Sequence, residues 1–597
     1  MHTHTETSEV GGGGGRAPSA GLLSDQDEIG ELRVLFDGQA GNPLQPTEAP
    51  RGKARAAVVS TDYYGAFSVE KFAAASSLTY THEDAGGWLN YVEQFQARNF
   101  WYQDAGVAPW AYYEQYDNWQ DTYGMDAVMA VYHSGHGAMD GNGVFYAAMG
   151  SDWGGLGTNA VSSNMALGNE QVRYIFWSTC FSLRVLNGHN PIRSWSKSNL
   201  GFRMLFGYET TSIDAPNYGK DFWKQWNKGK SFSQAHLDMS WYDVSTHQAP
   251  SVVACGATAA EAQDRLYNER LFSWGAVSRD YWHWRWYYAA SLALAARARN
   301  HKVPERIAVA QLGIEQIGAK LVRGIIDRLP LELALPQEVA ANPAGIIVLE
   351  QGGRRIAIDQ HGTYDVQIGR ANLESSNELL LSATLLKAND VVRQYGLDRN
   401  DITFDRLLHK YDCTGSTKGS GEIGTPRITE TVVQFTQLID GIPVIGPGEG
   451  KVAITFDNDA NVTAVVDTTR RVDKLLDAFS APQADDGGAP PQANGRNGAS
   501  QRSNGGALGA KRSGDIDPQA LLANAWQERM KTWVLGNAMP ERYSVVPDSY
   551  EIGYVIRGNT ALLVAREEVE VDCGGGFVKR FAVEAPLHPT VPAQVYH

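Results

Sequence analysis

Two short stretches carry side chains suited to acyl transfer. One is VMAVYHSGHG, residues 128–137, an apolar run ending in His133 and His136 with Gly137 directly after. The other is YIFWSTCFS, residues 174–182, an apolar run ending at Cys180. A thiol with a pKa of about 8.5 is mostly protonated at neutral pH, so it needs a base to become a nucleophile. The departing amine then needs an acid. One imidazole serves both needs, which assigns His136 as general acid and base and Cys180 as nucleophile. Gly137 lets its backbone N–H approach a substrate without a side chain in the way, and with the N–H of Cys180 it would form an oxyanion hole. Alternative readings are a buried, inert Cys180 and a metal held by His133 and His136. No third ligand has helpful spacing, so no metal is expected. His133, inside or at the end of its strand, is read as structural.

These residues need rigid elements beneath them. Short apolar runs at 54–65, 126–135, 171–180, 199–212 and 249–258 read as buried strands. Helical spacing at 83–95 and a helix, turn, helix pattern at 219–243 alternate with them. This is the pattern of an α/β fold with a mostly parallel sheet covered on both faces. Functional groups in such folds collect at the carboxyl ends of strands, where His136 and Cys180 fall. Residues 280–323, dense in aromatics, read as helix packed in an interface. From about 340 the texture becomes α+β.

The blocks VMAVYHSGHG and YIFWSTC resemble the His-Gly and Cys blocks of clan CD cysteine peptidases, which include caspases, metacaspases, legumain, gingipain, separase and CHAT domains. The downstream FRMLFGYETT and YGKDFWKQWNKGKSFSQAHLDMSW are similar to the CHAT and gingipain pattern. The resemblance covers roughly residues 50–280. It implies a caspase-like α/β/α sandwich and a cysteine endopeptidase acting through a Cys180–His136 dyad and a thioester. Position 178 is Ser where some of these families have an acid, so basic specificity does not carry over from that position. The acids left to read a substrate are Glu209, Asp152 and Asp214, and a buried one would favour Arg or Lys before the scissile bond. Asp62 is expected to end the first strand, either orienting a histidine or capping a turn.

VVQFTQLIDGIPVIGPGEGKVAITFDNDANVTAVV in the C-terminal half resembles the FTP repeat of protease propeptides, through Gln434 and the turn from Asp440. DPQALLANAW and the strands after it resemble a PepSY unit. The resulting division is a disordered tail (1–28), a peptidase domain (50–280), a helical connector (281–340), an FTP-like α+β domain (345–475), a disordered linker (478–515) and a PepSY-like segment (516–597). The C-terminal half is expected to regulate the peptidase, by intramolecular inhibition among other means, or to dock a partner, and the exposure and composition of the linker make Arg496, Arg502, Lys511 and Arg512 candidate sites of self-cleavage. MDGNG (139–143) and DNDAN (457–461) lack the Gly and Glu of an EF-hand and read as turns.

The totals set the partner class. The chain has 597 residues, enough for two or three domains. With 52 Lys and Arg against 67 Asp and Glu, its net charge of −15 argues against nucleic acid or anionic lipid. The four cysteines form no C-x-x-C pair, and Cys413 with Cys573 is the one disulfide weighed. No secretory signal or membrane span is seen, so the expected location is the cytoplasm, with secretion by another route as the alternative. The expected partner is a protein or peptide substrate, and no cofactor is expected. The rival readings are an inactive caspase-like scaffold that binds partners and a different thiol hydrolase such as an amidase. The dyad reading expects Cys180 and His136 to face each other across an open cleft, within about 3–6 Å.

Overall fold

A computed structural model describes residues 31–36, 39–44, 62–290, 302–315, 317–336, 338–342, 344–419, 421–477, 516–535, 542–588 and 594–596. The expected tail at 1–28, the linker at 478–515 and the apolar run at 54–61 lie outside the described residues.

Among the described residues the chain is mixed α/β, built on one large mixed sheet of sixteen strands. At one edge, Phe100–Gln103, Tyr64–Ser68, Ala130–Ser134, Tyr174–Ser178 and Met204–Tyr208 lie side by side in parallel. The last four of these are five residues long and buried throughout, as the continuous apolar runs require, while Phe100–Gln103 at the edge is only partly buried. Ala130 and Tyr132 enter one hydrophobic cluster and Val131 the other, following the two-residue period of a strand. The helices Thr81–Val92, Tyr218–Trp226 and Phe232–Asp238 cover the first face. They bring Trp88 against Phe176, and Phe222 against Phe176 and Phe206.

Pro250–Gly256 then joins antiparallel to Met204–Tyr208, and Tyr281–Ala289 joins antiparallel to it. The second of these overturns the helical reading of 280–323. Trp282, Trp284 and Trp286 are fully buried on one face while His283 and Arg285 turn to the other, a period of two rather than 3.6. The 281–340 connector therefore begins as a central strand. Further along it holds the strand Ala308–Leu312 and the helix Ala319–Arg328.

The sheet does not stop there. Tyr281–Ala289 pairs antiparallel with the long strand Ile402–Ser416, and the register runs from Tyr281↔Ser416 to Ala289↔Leu408. Arg427–Ile439, Lys451–Asp457 and Val462–Asp467 continue it. The expected parallel pairing holds from Phe100–Gln103 to Met204–Tyr208; past that strand every pairing of the large sheet among the described residues is antiparallel, so the sheet as a whole is mixed. The expected boundary between two domains is crossed by a continuous backbone ladder. Among the described residues a seven-stranded sheet, containing Thr560–Asp572 and Val578–Pro586 together with Ala308–Leu312 and Val472–Asp477, carries the helix Pro518–Leu535. Among the described residues no helix is long and apolar enough to cross a membrane.

Candidate functional site

The parallel register sets Ser134 beside Ser178. His136 and Cys180, each two residues further on, therefore leave adjacent strands at the same end of the sheet. Gly137 begins a small three-stranded sheet with Phe145–Ala148 and Asn159–Val161. A Cβ at Gly137 would fall 2.5 Å from the Cys180 carbonyl oxygen and 2.8 Å from Thr179, so only glycine fits where the two motifs touch. Phe181, directly after the cysteine, holds φ at 55°, a conformation that costs energy for a side chain with a Cβ. The loop is pinned there by the Phe181 N–H on Thr210 O and the Leu183 N–H on Tyr208 O.

His136 Nε2 lies 2.9 Å from the carbonyl oxygen of Ser76. A carbonyl only accepts, so Nε2 carries the proton and Nδ1 is left with its lone pair. Nδ1 is buried with no hydrogen-bond partner among the described residues. Burial, and next the field of Lys579, push this imidazole down to about 3, with the Ser76 bond opposing. The Cys180 thiol touches Ser212: the Ser212 N–H points at Sγ from 3.3 Å, and Oγ lies 3.5 Å away. His136 and Cys180 are both fully buried, and no hydrogen bond joins them among the described residues. The expected open cleft is therefore not what the structure has.

The cover comes from the end of the chain. Thr560–Asp572 and Val578–Pro586 form a hairpin whose tip, Cys573–Phe577, turns through Gly574, Gly575 and Gly576 at positive φ. Phe72 and Phe577 both pack on the His136 ring, with centroids 4.5 and 5.8 Å away. The Ser76 N–H donates to the Cys573 carbonyl at 2.8 Å, so the loop that fixes the imidazole is itself fixed by the hairpin. Past the tip, the Lys579 ammonium donates to Ser212 Oγ at 3.0 Å. Arg580 pairs in parallel with Ile213, and the Asp214 N–H donates to the Arg580 carbonyl at 3.0 Å.

Of the three candidate specificity acids, only Asp214 reaches this place. It is buried, and its carboxylate accepts the Thr79 N–H at 3.0 Å. Glu209 instead turns back to accept the N–H groups of Val185 and Leu186, beside Arg184, and so holds the loop after Cys180. Asp152 is exposed and accepts the Gly157 N–H within its own loop. Asp62 precedes the first described strand of the parallel set rather than ending it, and accepts from Asn99. His133 packs against Trp177 and meets the Tyr112 hydroxyl at 2.8 Å. No group of three His, Cys, Asp or Glu side chains able to hold a metal occurs among the described residues. Asp140 and Asp457 serve as ordinary turn acceptors. All four cysteines are free, so Cys413 and Cys573 are not paired.

Sequence reasoning missed Ser76, Ser212, Phe577 and Lys579. The run DCGGGFVK between two strands was a visible signal for a tight, unusual hairpin. Nothing local marks Ser76 or Ser212, whose roles arise only from tertiary placement.

No curated protein and no solved structure matches the chain. Residues 66–289, which hold both His136 and Cys180, match the family model described as "Domain of unknown function (DUF6345)".

Proposed function

We propose that this chain is a caspase-like cysteine endopeptidase held latent by its own C-terminal hairpin. The observation that carries the reading is the tautomer of His136. With Nε2–H given to Ser76, the lone pair of Nδ1 is left free, which supports Nδ1 as the base for the Cys180 thiol. Once the hairpin moves away, Cys180 Sγ attacks the peptide carbonyl and its proton passes to Nδ1. The proton then leaves with the amine, and water hydrolyses the thioester. The close backbones of Gly137 and Cys180 are the place for the developing oxyanion. The strand order, five parallel strands with the histidine and cysteine at adjacent carboxyl ends, supports a caspase-like sandwich. The α+β sheet beyond it supports an FTP- and PepSY-like regulatory half.

The second reading, an inactive scaffold, is favoured by one observation: both side chains are fully buried and not joined by a hydrogen bond. Labelling with electrophilic peptide probes separates the two. The peptidase reading expects covalent labelling at Cys180 that increases when the hairpin is loosened and disappears in Cys180→Ala. Probes that leave Cys180 unmodified even in a loosened hairpin variant would establish the scaffold.

A further inference from the structure

Lys579 is 3% exposed, yet no carboxylate of the described residues lies within 4.0 Å of its ammonium group. A buried ammonium without a direct ion pair is costly, so its position asks for a reason. Its backbone neighbour Arg580 adds to Ser212–Asp214 as an extended segment, beside the thiol. Its side chain reaches Ser212 Oγ at 3.0 Å, and the same oxygen lies 3.5 Å from Cys180 Sγ. An extended chain lies over the Cys180 site, with one basic side chain turned toward the thiol's serine neighbour.

Asp214 is the acid of that segment, two residues from the serine that Lys579 touches. It ends the segment on which Arg580 lies and is 2% exposed. Burial raises its carboxyl, and the fields of Lys579 and Arg529 oppose that rise. Arg529 also donates to Thr79 Oγ1, the neighbour of the N–H that Asp214 accepts. Both cations belong to the C-terminal segment. Without that segment Asp214 would lose the fields of both cations.

We propose that the cleft at Cys180 selects a lysine or arginine side chain of a polypeptide substrate, that Asp214 is the residue selecting it, and that Lys579 is a resident mimic of that side chain. This rests on the peptidase reading of Cys180 and His136. The test uses the full chain and four forms: wild type, Lys579→Ala, Lys579→Ala with Asp214→Asn, and Lys579→Ala with Cys180→Ala. Each is treated with acyloxymethyl ketone peptides ending in Lys, Arg, Asp or Asn, and the modified residue is mapped by mass spectrometry. Lys579→Ala should label faster than wild type, with the Lys and Arg probes ahead of Asp and Asn by about tenfold or more, a difference of about 1.4 kcal/mol. Asp214→Asn should remove that preference while circular dichroism and the unfolding midpoint confirm a folded chain. Cys180-dependent labelling with no basic preference, or with a preference that survives Asp214→Asn, overturns this inference and leaves the peptidase reading standing. Absence of Cys180 labelling by every probe in Lys579→Ala overturns both.

Discussion

The carbonyl oxygen of Ser76 and Nε2 of His136 lie 2.9 Å apart, and that contact decides which imidazole nitrogen can act as a base. It also links the imidazole to the hairpin, because the Ser76 N–H is held by Cys573. If Nδ1 is the proton acceptor, His136→Ala and Cys180→Ala should each reduce peptide hydrolysis by the unlocked protein. Loss of a positioned acid-base group costs about 10²–10⁴-fold. Stopped assays on matched, folded variants check this. Unchanged hydrolysis in His136→Ala would remove the histidine from the mechanism.

The hairpin contact predicts latency. Phe577 is buried against His136 and within the core of the C-terminal sheet. Phe577→Ala should loosen the hairpin, at a cost of about 3–5 kcal/mol if the cavity does not collapse. Alkylation of Cys180 by iodoacetamide should then accelerate at least several-fold, while Cys255 and Cys413, buried elsewhere, keep their rates. Peptide mapping after timed alkylation reads this out. Equal acceleration at all four cysteines would indicate general unfolding rather than release of the site.

How far the sequence revealed this arrangement depends on the range of the interaction. The buried strands at Ala130–Ser134 and Tyr174–Ser178 were legible because a strand buried on both faces must be continuously apolar. Their endings in His136 and Cys180 were legible for the same reason. Tyr281–Ala289 was misread because its aromatic density obscured a plain alternation of Trp282, Trp284 and Trp286. The role of Glu209 was open, since an acid after a strand can face a cleft or its own backbone. Only the loop at Val185 and Leu186 settles that. The hairpin over the site joins residues several hundred positions apart. No local pattern at His136 encodes Phe577 or Lys579, because their meeting depends on how two sheets dock.

Acid should destabilise the site through His136. Burial, then the Lys579 charge, push its imidazole down to about 3, against about 6.5 when exposed. Between those values the unfolded chain binds a proton that the folded chain refuses. Stability therefore falls as pH drops from about 6.5 towards 3, by at most about 1.4 kcal/mol per unit. Other buried groups move the opposite way; burial raises Asp126 to about 6, for instance. The informative quantity is thus a difference. Relative to His136→Asn, the wild type should lose stability progressively from pH 6.5 to 4.5 in denaturant titrations. Parallel curves would show that His136 is not held neutral.

Glu209 should prove structural. Burial raises its carboxyl, and the Val185 and Leu186 N–H groups and Arg184 hold it in place. Glu209→Ala leaves those buried donors without an acceptor, at about 1–3 kcal/mol. The unfolding midpoint should fall accordingly, while the ranking of Lys, Arg, Asp and Asn probes at Cys180 stays as in the parent. A changed ranking would return Glu209 to the specificity site.

The last prediction concerns the sheet that joins the two halves. Trp284 is 1% exposed on the strand Tyr281–Ala289, which bonds to Pro250–Gly256 on one side and Ile402–Ser416 on the other. Beside it, Asp412 of the long strand receives His283 at 3.0 Å and Arg427 at 2.7 Å, and Trp286 stacks on Tyr411 with centroids 5.1 Å apart. A separately folding peptidase domain would unfold without disturbing the C-terminal strands. A shared ladder makes the two melt together. Trp284→Ala should therefore cost about 3–5 kcal/mol and lower hydrogen-exchange protection in Tyr174–Ser178 and in Arg427–Ile439 by the same factor. Protection lost in Tyr174–Ser178 alone would show that the halves are independent folding units despite the continuous sheet.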